Sequence, residues 1–141
     1  MTAAIALPED VHAVSSVLFN YATAIDTKNW QLFRTCFHPE CRTVYNDQTF
    51  EGVDELTNYM EHFHRYLDSS LHRVSNIEVR SSVDELTAHS YVDALLVRQG
   101  HNTRHVAGTY QDHFVRNSHD WVISRRVFVR VWSEGSLEIT R

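Results

Sequence analysis

Asp26 and His72 are the two residues of this chain best suited to moving a proton together. Asp26 closes the apolar stretch Tyr21-Ala-Thr-Ala-Ile-Asp26, and Thr27-Lys28-Asn29-Trp30 follows at once. A carboxylate at the inner end of an apolar helix is costly unless something pairs with it. The partner the sequence offers is His72, in Ser70-Leu71-His72-Arg73-Val74-Ser75-Asn76. A neutral imidazole has an ordinary pKa close to neutrality and can take a proton from a carbon next to an activating group. A carboxylate on its Nδ1–H fixes the tautomer and stabilises the imidazolium that forms. Such base catalysis contributes about 10²–10⁴-fold, and the remainder must come from positioning and from stabilising negative charge. Two plainer readings stand beside this one. Asp26 would serve equally as the N-cap of the helix that begins near Trp30, and His72 as a core histidine bonded to a backbone carbonyl.

The elements that must bring these two together read as follows. Pro8-Glu9-Asp10 is a helix start, with proline in the first turn and acids complementing the dipole. Val11, Val14, Leu18, Tyr21, Ala22 and Ile25 recur at helical spacing behind it. A short second helix spans about 29–37, with Pro39 ending it. Residues 42–45 form a strand that turns at Asn46-Asp47 into a short partner, 48–51. Gly52 breaks, and Val53, Leu56, Met60, Phe63 and Leu67 stripe a third helix to about residue 67. Strand character then takes over: 71–79, 86–99, 104–116 and 121–132, separated by turns at 81–85, Gly100-His101-Asn102 and Asn117–Asp120. Helices first and an antiparallel meander after predict an α+β domain, three helices packed on one face of a strongly curved, mostly antiparallel mixed sheet that encloses a pocket. Its core covers about residues 8–132, and the tail 133–141 is expected to be loose or to cap an edge. The concave face should carry alternate strand residues: His105, Ala107, Thr109, Gln111 and His113 on one strand, and Val122, Ser124, Arg126, Phe128, Arg130 and Trp132 on the next. A buried arginine on such a face needs an anion or a hydrogen-bond partner, and Asp26, Asp93 and Asp112 are structural candidates for Arg126.

The bulk composition narrows the classes. A chain of 141 residues, 43% hydrophobic and 22% charged, suits one globular domain. Formal net charge is −5, and Arg125-Arg126 is the longest basic cluster, so no nucleic-acid footprint is present. No apolar run approaches the ~20 residues that span a bilayer, and Met1–Leu7 does not read as a signal peptide. A cytoplasmic protein with no membrane partner is therefore expected. Cys36 and Cys41, with His38 between them, do not have a zinc-site spacing; they are read as reduced thiols, and no metal is expected. Of the ten histidines, His12, His38, His62, His64 and His119 have no evident partner.

The ordered set Tyr21-Ala-Thr-Ala-Ile-Asp26-Thr-Lys-Asn-Trp30-Gln-Leu-Phe33, Phe37, Glu51-Gly52, His72-Arg-Val-Ser-Asn76, Asp84-Glu-Leu-Thr-Ala88, Gly108-Thr-Tyr110 and Trp121 resembles the SnoaL-like branch of the NTF2-like superfamily, over about residues 11–132. That branch includes scytalone dehydratase, hexachlorocyclohexane dehydrochlorinase and bile-acid 7-dehydratase. The resemblance implies a cone-shaped fold and an Asp–His dyad, with Asp26 at the family's acid and His72 at its histidine. It also implies a substrate-facing role for Tyr21, which would donate its hydroxyl to a carbonyl or to a departing oxygen. Arg126 lies close to a functional arginine of the dehydrochlorinase and would hold an anionic or enolate oxygen. His105 lies near a second histidine of scytalone dehydratase and would protonate a departing hydroxide. Ile25 departs from the scytalone dehydratase pattern, which has tyrosine before the acid.

These readings converge on a lyase of dehydratase type, free of cofactors, acting on a small, mostly apolar ring-bearing molecule. Isomerisation or cyclisation by the same base is a close variant. The competing class is a non-catalytic binding module or a small structural subunit of a ring-hydroxylating dioxygenase. A homodimer or trimer is expected, with Phe128 and Trp132 as candidate contacts.

Overall fold

The computed structural model describes residues 4–98 and 102–137. Its elements run β1 (Ala4–Ile5), α1 (Pro8–Asp26), α2 (Trp30–Thr35), β2 (Phe37–Tyr45), β3 (Gln48–Glu51), α3 (Val53–His64), β4 (Ser69–Ser82), β5 (Glu85–Arg98), β6 (Asn102–Asn117) and β7 (Asp120–Gly135). Seven strands form one sheet in the order β1-β4-β5-β6-β7-β2-β3. All neighbours are antiparallel except β2 and β7. The fold is therefore α+β, with three helices packed on a curled mixed sheet. No helix among the described residues is long and apolar enough to cross a membrane.

Local sequence explains the helices. α1 starts at Pro8, whose missing N–H costs nothing at the first helical position. It buries Val14, Leu18, Tyr21 and Ile25 against the sheet, chiefly β4. After Asp26 the chain turns through Lys28, which has φ 55°. Asn29, not Asp26, caps α2, its side chain accepting from Leu32 N at 3.1 Å. That frees Asp26 from the capping role. α2 ends at Thr35, earlier than the sequence suggests, and Pro39 lies inside β2. It is tolerated there because the β2–β7 register shifts between Phe37 and Arg42, so its missing N–H breaks no regular ladder bond. α3 ends at His64, a turn short of its predicted end.

The meander strands are longer than their sequence patterns. β4 runs from Ser69 to Ser82, and β7 reaches Gly135, where it pairs with Arg104. Residues 133–135 are thus strand and not a loose tail; the tail from 138 and the first two residues of the turn expected at Gly100-His101-Asn102 lie outside the described residues, and Asn102 opens β6. Two irregularities in the β6–β7 ladder, at Ala107/Gly108 and His113/Phe114, change which side chains face inward. Gly108 is demanded by one of them: a Cβ there would lie 2.3 Å from Val129 O and 2.7 Å from a Phe128 ring carbon. The Phe128 ring lies over that bare backbone and turns toward the interior, against Tyr45 and Tyr110.

Between helices and sheet lies a core of Val14, Leu18, Phe33, Leu56, Phe114 and Ile123, all fully buried. It fills one end of the curl. The other end stays open.

A candidate active site in the open end of the cup

The open end holds a cavity of about 500 Å³. Its wall is mostly apolar: Ile25 from α1, Met60 and Phe63 from α3, Val92, Ala94 and Leu96 from β5, Val106 from β6 and Phe128 from β7. The polar lining comes from Tyr21, Tyr45, Tyr59, Tyr110, Asn46, Ser136, His64, His72 and three arginines at positions 98, 104 and 130.

The ends of α1 and β4 meet at the cavity wall. His72 Nδ1 lies 2.7 Å from Asp26 Oδ1. The His72 backbone N–H donates to Asp26 Oδ2 at 2.9 Å, and Ser70 Oγ donates to Oδ1 at 2.9 Å. The carboxylate thus accepts three bonds, two from a residue it is meant to orient. Both side chains are largely buried, 10% exposed for His72 and 16% for Asp26. A carboxylate is only an acceptor, so Nδ1 carries the hydrogen and Nε2 keeps its lone pair. Ser70 lay within reach of sequence reasoning: it is two residues before His72 and so shares its face of the strand.

Tyr21 lines the cavity floor, and its hydroxyl is 2.9 Å from that of Tyr45. Behind them sits Arg126. Its guanidinium is fully buried and holds Asp112 in a two-pronged ion pair, at 2.7 and 3.0 Å. It donates to Tyr45 Oη at 3.2 Å and lies against the rings of Tyr110 and Tyr21, 3.7 and 4.3 Å from their centroids. Burial alone would lower the Arg126 pKa, but Asp112 and the tyrosines raise it well above its ordinary value. Burial likewise raises Tyr21, Tyr45 and Tyr110, so all three remain phenols. Arg126 therefore stands one layer beneath the cavity, paired with Asp112, and meets the lining through the Tyr45 hydroxyl and the rings of Tyr21 and Tyr110.

His105 is not in the cup. It lies on the convex face, against Asp93 and the Trp132 ring, and is bonded to the Asp93 carboxylate, which Arg73 also holds. The β6 set expected to line the pocket is the outward one. Arg104, Val106 and Tyr110 face inward instead. On β7, Phe128 and Arg130 line the cavity as expected, while Trp132 is carried to the convex side by the irregularity opposite Ala107.

His64, read from sequence as a residue without a partner, is a buried member of the lining. Its Nδ1 is 2.8 Å from Met60 O, so it donates there and leaves Nε2 as an acceptor. Its ring centroid is 6.0 Å from that of His72. Burial pulls its pKa down to about 4, and nearby His72 adds to the fall. One signal could have found it: it falls four residues after Met60, on the buried stripe of α3. Cys36 and Cys41 are buried thiols, each pushed by burial to about 11. Among the described residues no three His, Cys, Asp or Glu side chains are placed to hold a metal.

Residues 8–127 match the family described as the SnoaL-like domain. No curated protein matches the chain in sequence. Several solved structures share its fold. One, from Novosphingobium aromaticivorans and provisionally assigned as a scytalone dehydratase, is 20% identical with TM-score 0.81, over 94% of this chain and 89% of that one. A second from the same organism, provisionally assigned as an aromatic ring hydroxylase, is 18% identical with TM-score 0.86, over 94% and 96%. A hexachlorocyclohexane dehydrochlorinase, LinA type 2, is 12% identical with TM-score 0.81, over 93% and 91%. At these identities the likeness speaks to the fold alone.

The buried neutral His64 has a measurable signature. From its ordinary 6.5 down to about 4, the unfolded chain binds a proton here that the folded chain refuses. Stability should therefore fall as pH drops through that window, by about 3 kcal/mol at full development. Urea denaturation at pH 7 and pH 4.5 should show the native chain losing roughly 2 kcal/mol more than His64→Leu. Equal losses would contradict the assignment.

Proposed function

This chain belongs to the SnoaL-like domain family, and on that premise we propose that it is a lyase of dehydratase type that begins its reaction with the Asp26–His72 pair. The observation that carries the reading is the 2.7 Å hydrogen bond between those side chains at the wall of an open, mostly apolar cavity. The cavity volume of about 500 Å³ falls within the range of small-molecule sites.

In this reading His72 Nε2 takes a proton from a substrate carbon beside an electron-withdrawing group. The C–H electron pair becomes the new C=C bond as the C–O bond on the neighbouring carbon breaks, and the departing hydroxide takes the proton held on His72 Nε2 and leaves as water, which returns the imidazole to its neutral form. Asp26 stabilises the imidazolium and holds the ring in the tautomer that exposes Nε2. Tyr21 is the donor for substrate oxygen. Arg126 donates to Tyr45 Oη, which leaves the Tyr45 hydrogen free to bond Tyr21 Oη. Tyr21 then keeps its own hydrogen for the cavity. Arg126 is thus a positioning residue acting through two phenols, and the part that sequence resemblance gave to His105 has no support from its place on the convex face. Isomerisation would use the same first step and differ only in where the proton is returned. An unfilled cup favours either reaction, or simple binding of a small molecule, over a structural subunit whose interior would be packed.

The reading gives a concrete expectation. His72→Ala and Asp26→Asn should each lower kcat/KM on an identified substrate by about 10²–10⁴-fold, the usual worth of a positioned base, with far-UV circular dichroism unchanged. Tyr21→Phe should lower it less. Normal turnover by both dyad variants would remove the proposal.

We also propose self-association through the convex face. Val127, Val129, Val131 and Trp132 of β7, with Leu71 and Tyr91, leave 40–71% of their surface exposed there, an apolar strip of the kind that marks contact surfaces. Phe128, turned inward, drops out as a contact residue. Light scattering should give a mass of at least two chains, and Val131→Lys should reduce it; a strict monomer at micromolar concentration would refute the pairing.

A further inference from the structure

The cup is polarised in a way the dyad chemistry does not require. Arg98, Arg104 and Arg130 all contribute to the cavity lining, and no Asp or Glu does among the described residues. This occurs in a chain whose formal net charge is −5. Outside the cavity, Arg34, Arg42, Arg65, Arg73 and Arg126 each pair with a carboxylate, while Arg80, Arg116 and Arg125 pair with none among the described residues and are exposed. The three cavity arginines form no such pair with a described residue. Arg98 and Arg104 are half-buried, and their hydrogen-bond partners among the described residues are neutral oxygens. Arg98 donates to Leu137 O at 3.2 Å, and Arg104 to Gly135 O at 3.5 Å and Ser133 Oγ at 3.3 Å. A guanidinium has five N–H donors, so these tethers fix the side chains and leave donors to spare.

The sheet register places this charge close to the dyad. His72 stands opposite Ala94, and Ala94 opposite Val106. Arg104 is two residues from Val106 on one side, and Arg130 stands opposite Gly108, two residues from Val106 on the other. Two residues of strand are about 7 Å, so a guanidinium stem lies one inward step to either side of the rung that carries His72. Arg98 and Arg104 are partly buried with no carboxylate partner among the described residues, which is unfavourable at rest, while Arg130 stands exposed at the rim; a planar, two-pronged anion is the group that guanidinium geometry fits best.

We propose that the ligand of this cup is an organic anion: an apolar, ring-bearing body that carries a carboxylate or phosphate-type group, bound by Arg104 and Arg130 with Arg98 in support. The aliphatic and aromatic wall takes the ring, the arginines take the anion, and the anion's distance from His72 decides which carbon meets the base. The proposal rests on the cup being the substrate site, but it concerns recognition and not turnover.

Isothermal titration with three probes of one shape tests it: 2-naphthoate, 2-naphthyl phosphate and neutral 2-naphthamide. At least one anion should bind ten-fold or more tighter than the amide, and which one does so identifies the preferred head group. The preference should shrink as salt is raised and should vanish in Arg104→Gln/Arg130→Gln. Arg104→Lys/Arg130→Lys should retain part of it, which separates lost charge from lost fold. Asp26→Asn should bind the anion at least as well as the native chain. The inference is overturned if the amide binds as tightly as both anions, if neither anion binds, or if the preference survives in the double glutamine variant. A His72-dependent turnover of a neutral substrate alongside any of those results would leave the catalytic reading intact and remove this one alone.

Discussion

Everything in the open half of this molecule depends on the carboxylate of Asp26 being fully occupied. It sits where an apolar helix runs out, largely buried, and a bare charge there would be costly. Three donors remove the cost, and all three come from the first turns of β4. Hydrogen bonds to a charged acceptor contribute about 1.5–3 kcal/mol each. The same set of bonds therefore docks α1 against β4, fixes the orientation of the His72 ring and chooses its tautomer. The contact that docks the helix end on the sheet is the same contact that orients the imidazole.

A second buried charge supports the opposite wall. Arg126 is enclosed between β6, β7 and the tyrosines, and Asp112 neutralises it from the neighbouring strand. Removing either partner of such a pair strands the other and typically costs about 3–5 kcal/mol. Its reach into the cavity is indirect, through Tyr45 to Tyr21. The floor is thus built from neutral phenols packed over a buried cation, which donates to the Tyr45 hydroxyl. His64 adds a neutral acceptor on the helix side. The cavity then carries neutral phenols and the neutral His64 near the Asp26–His72 pair, and three arginines, with no carboxylate partner among the described residues, elsewhere in its lining.

Much of this was legible in the sequence, and the failures have physical causes. Helical spacing from Val14 to Ile25 and strand alternation along β5 were enough for the α+β layout, because those elements bury one regular face. Asp26 and His72 could be paired because a lone acid after Tyr21-Ala-Thr-Ala-Ile needs a partner. The face of β6 could not be read: period-two alternation carries no absolute phase. Both irregularities insert their extra residue in β7, so β6 alternates unbroken from Arg104 to Phe114, and only its phase, with Arg104 inside and His105 outside, was misread. Arg126 was read as buried, correctly, but burial did not say whether its partner would be a substrate or Asp112. His64 was missed because a single histidine on an apolar stripe differs from a core residue only by what lies opposite, and its neighbour His72 arrives from a different element. β1 pairs through two residues and has no pattern to read.

The central claim is that Asp26 holds His72 as a neutral imidazole with Nδ1 protonated and Nε2 bare. Nitrogen-15 NMR of the histidine ring at pH 7.5 reports this directly, since protonated and bare ring nitrogens resonate far apart. The account predicts a protonated Nδ1 and an unprotonated Nε2 for His72, with that tautomer no longer favoured in Asp26→Asn. A His72 ring protonated on Nε2, or one whose tautomer is the same in the Asp26→Asn chain, would contradict it.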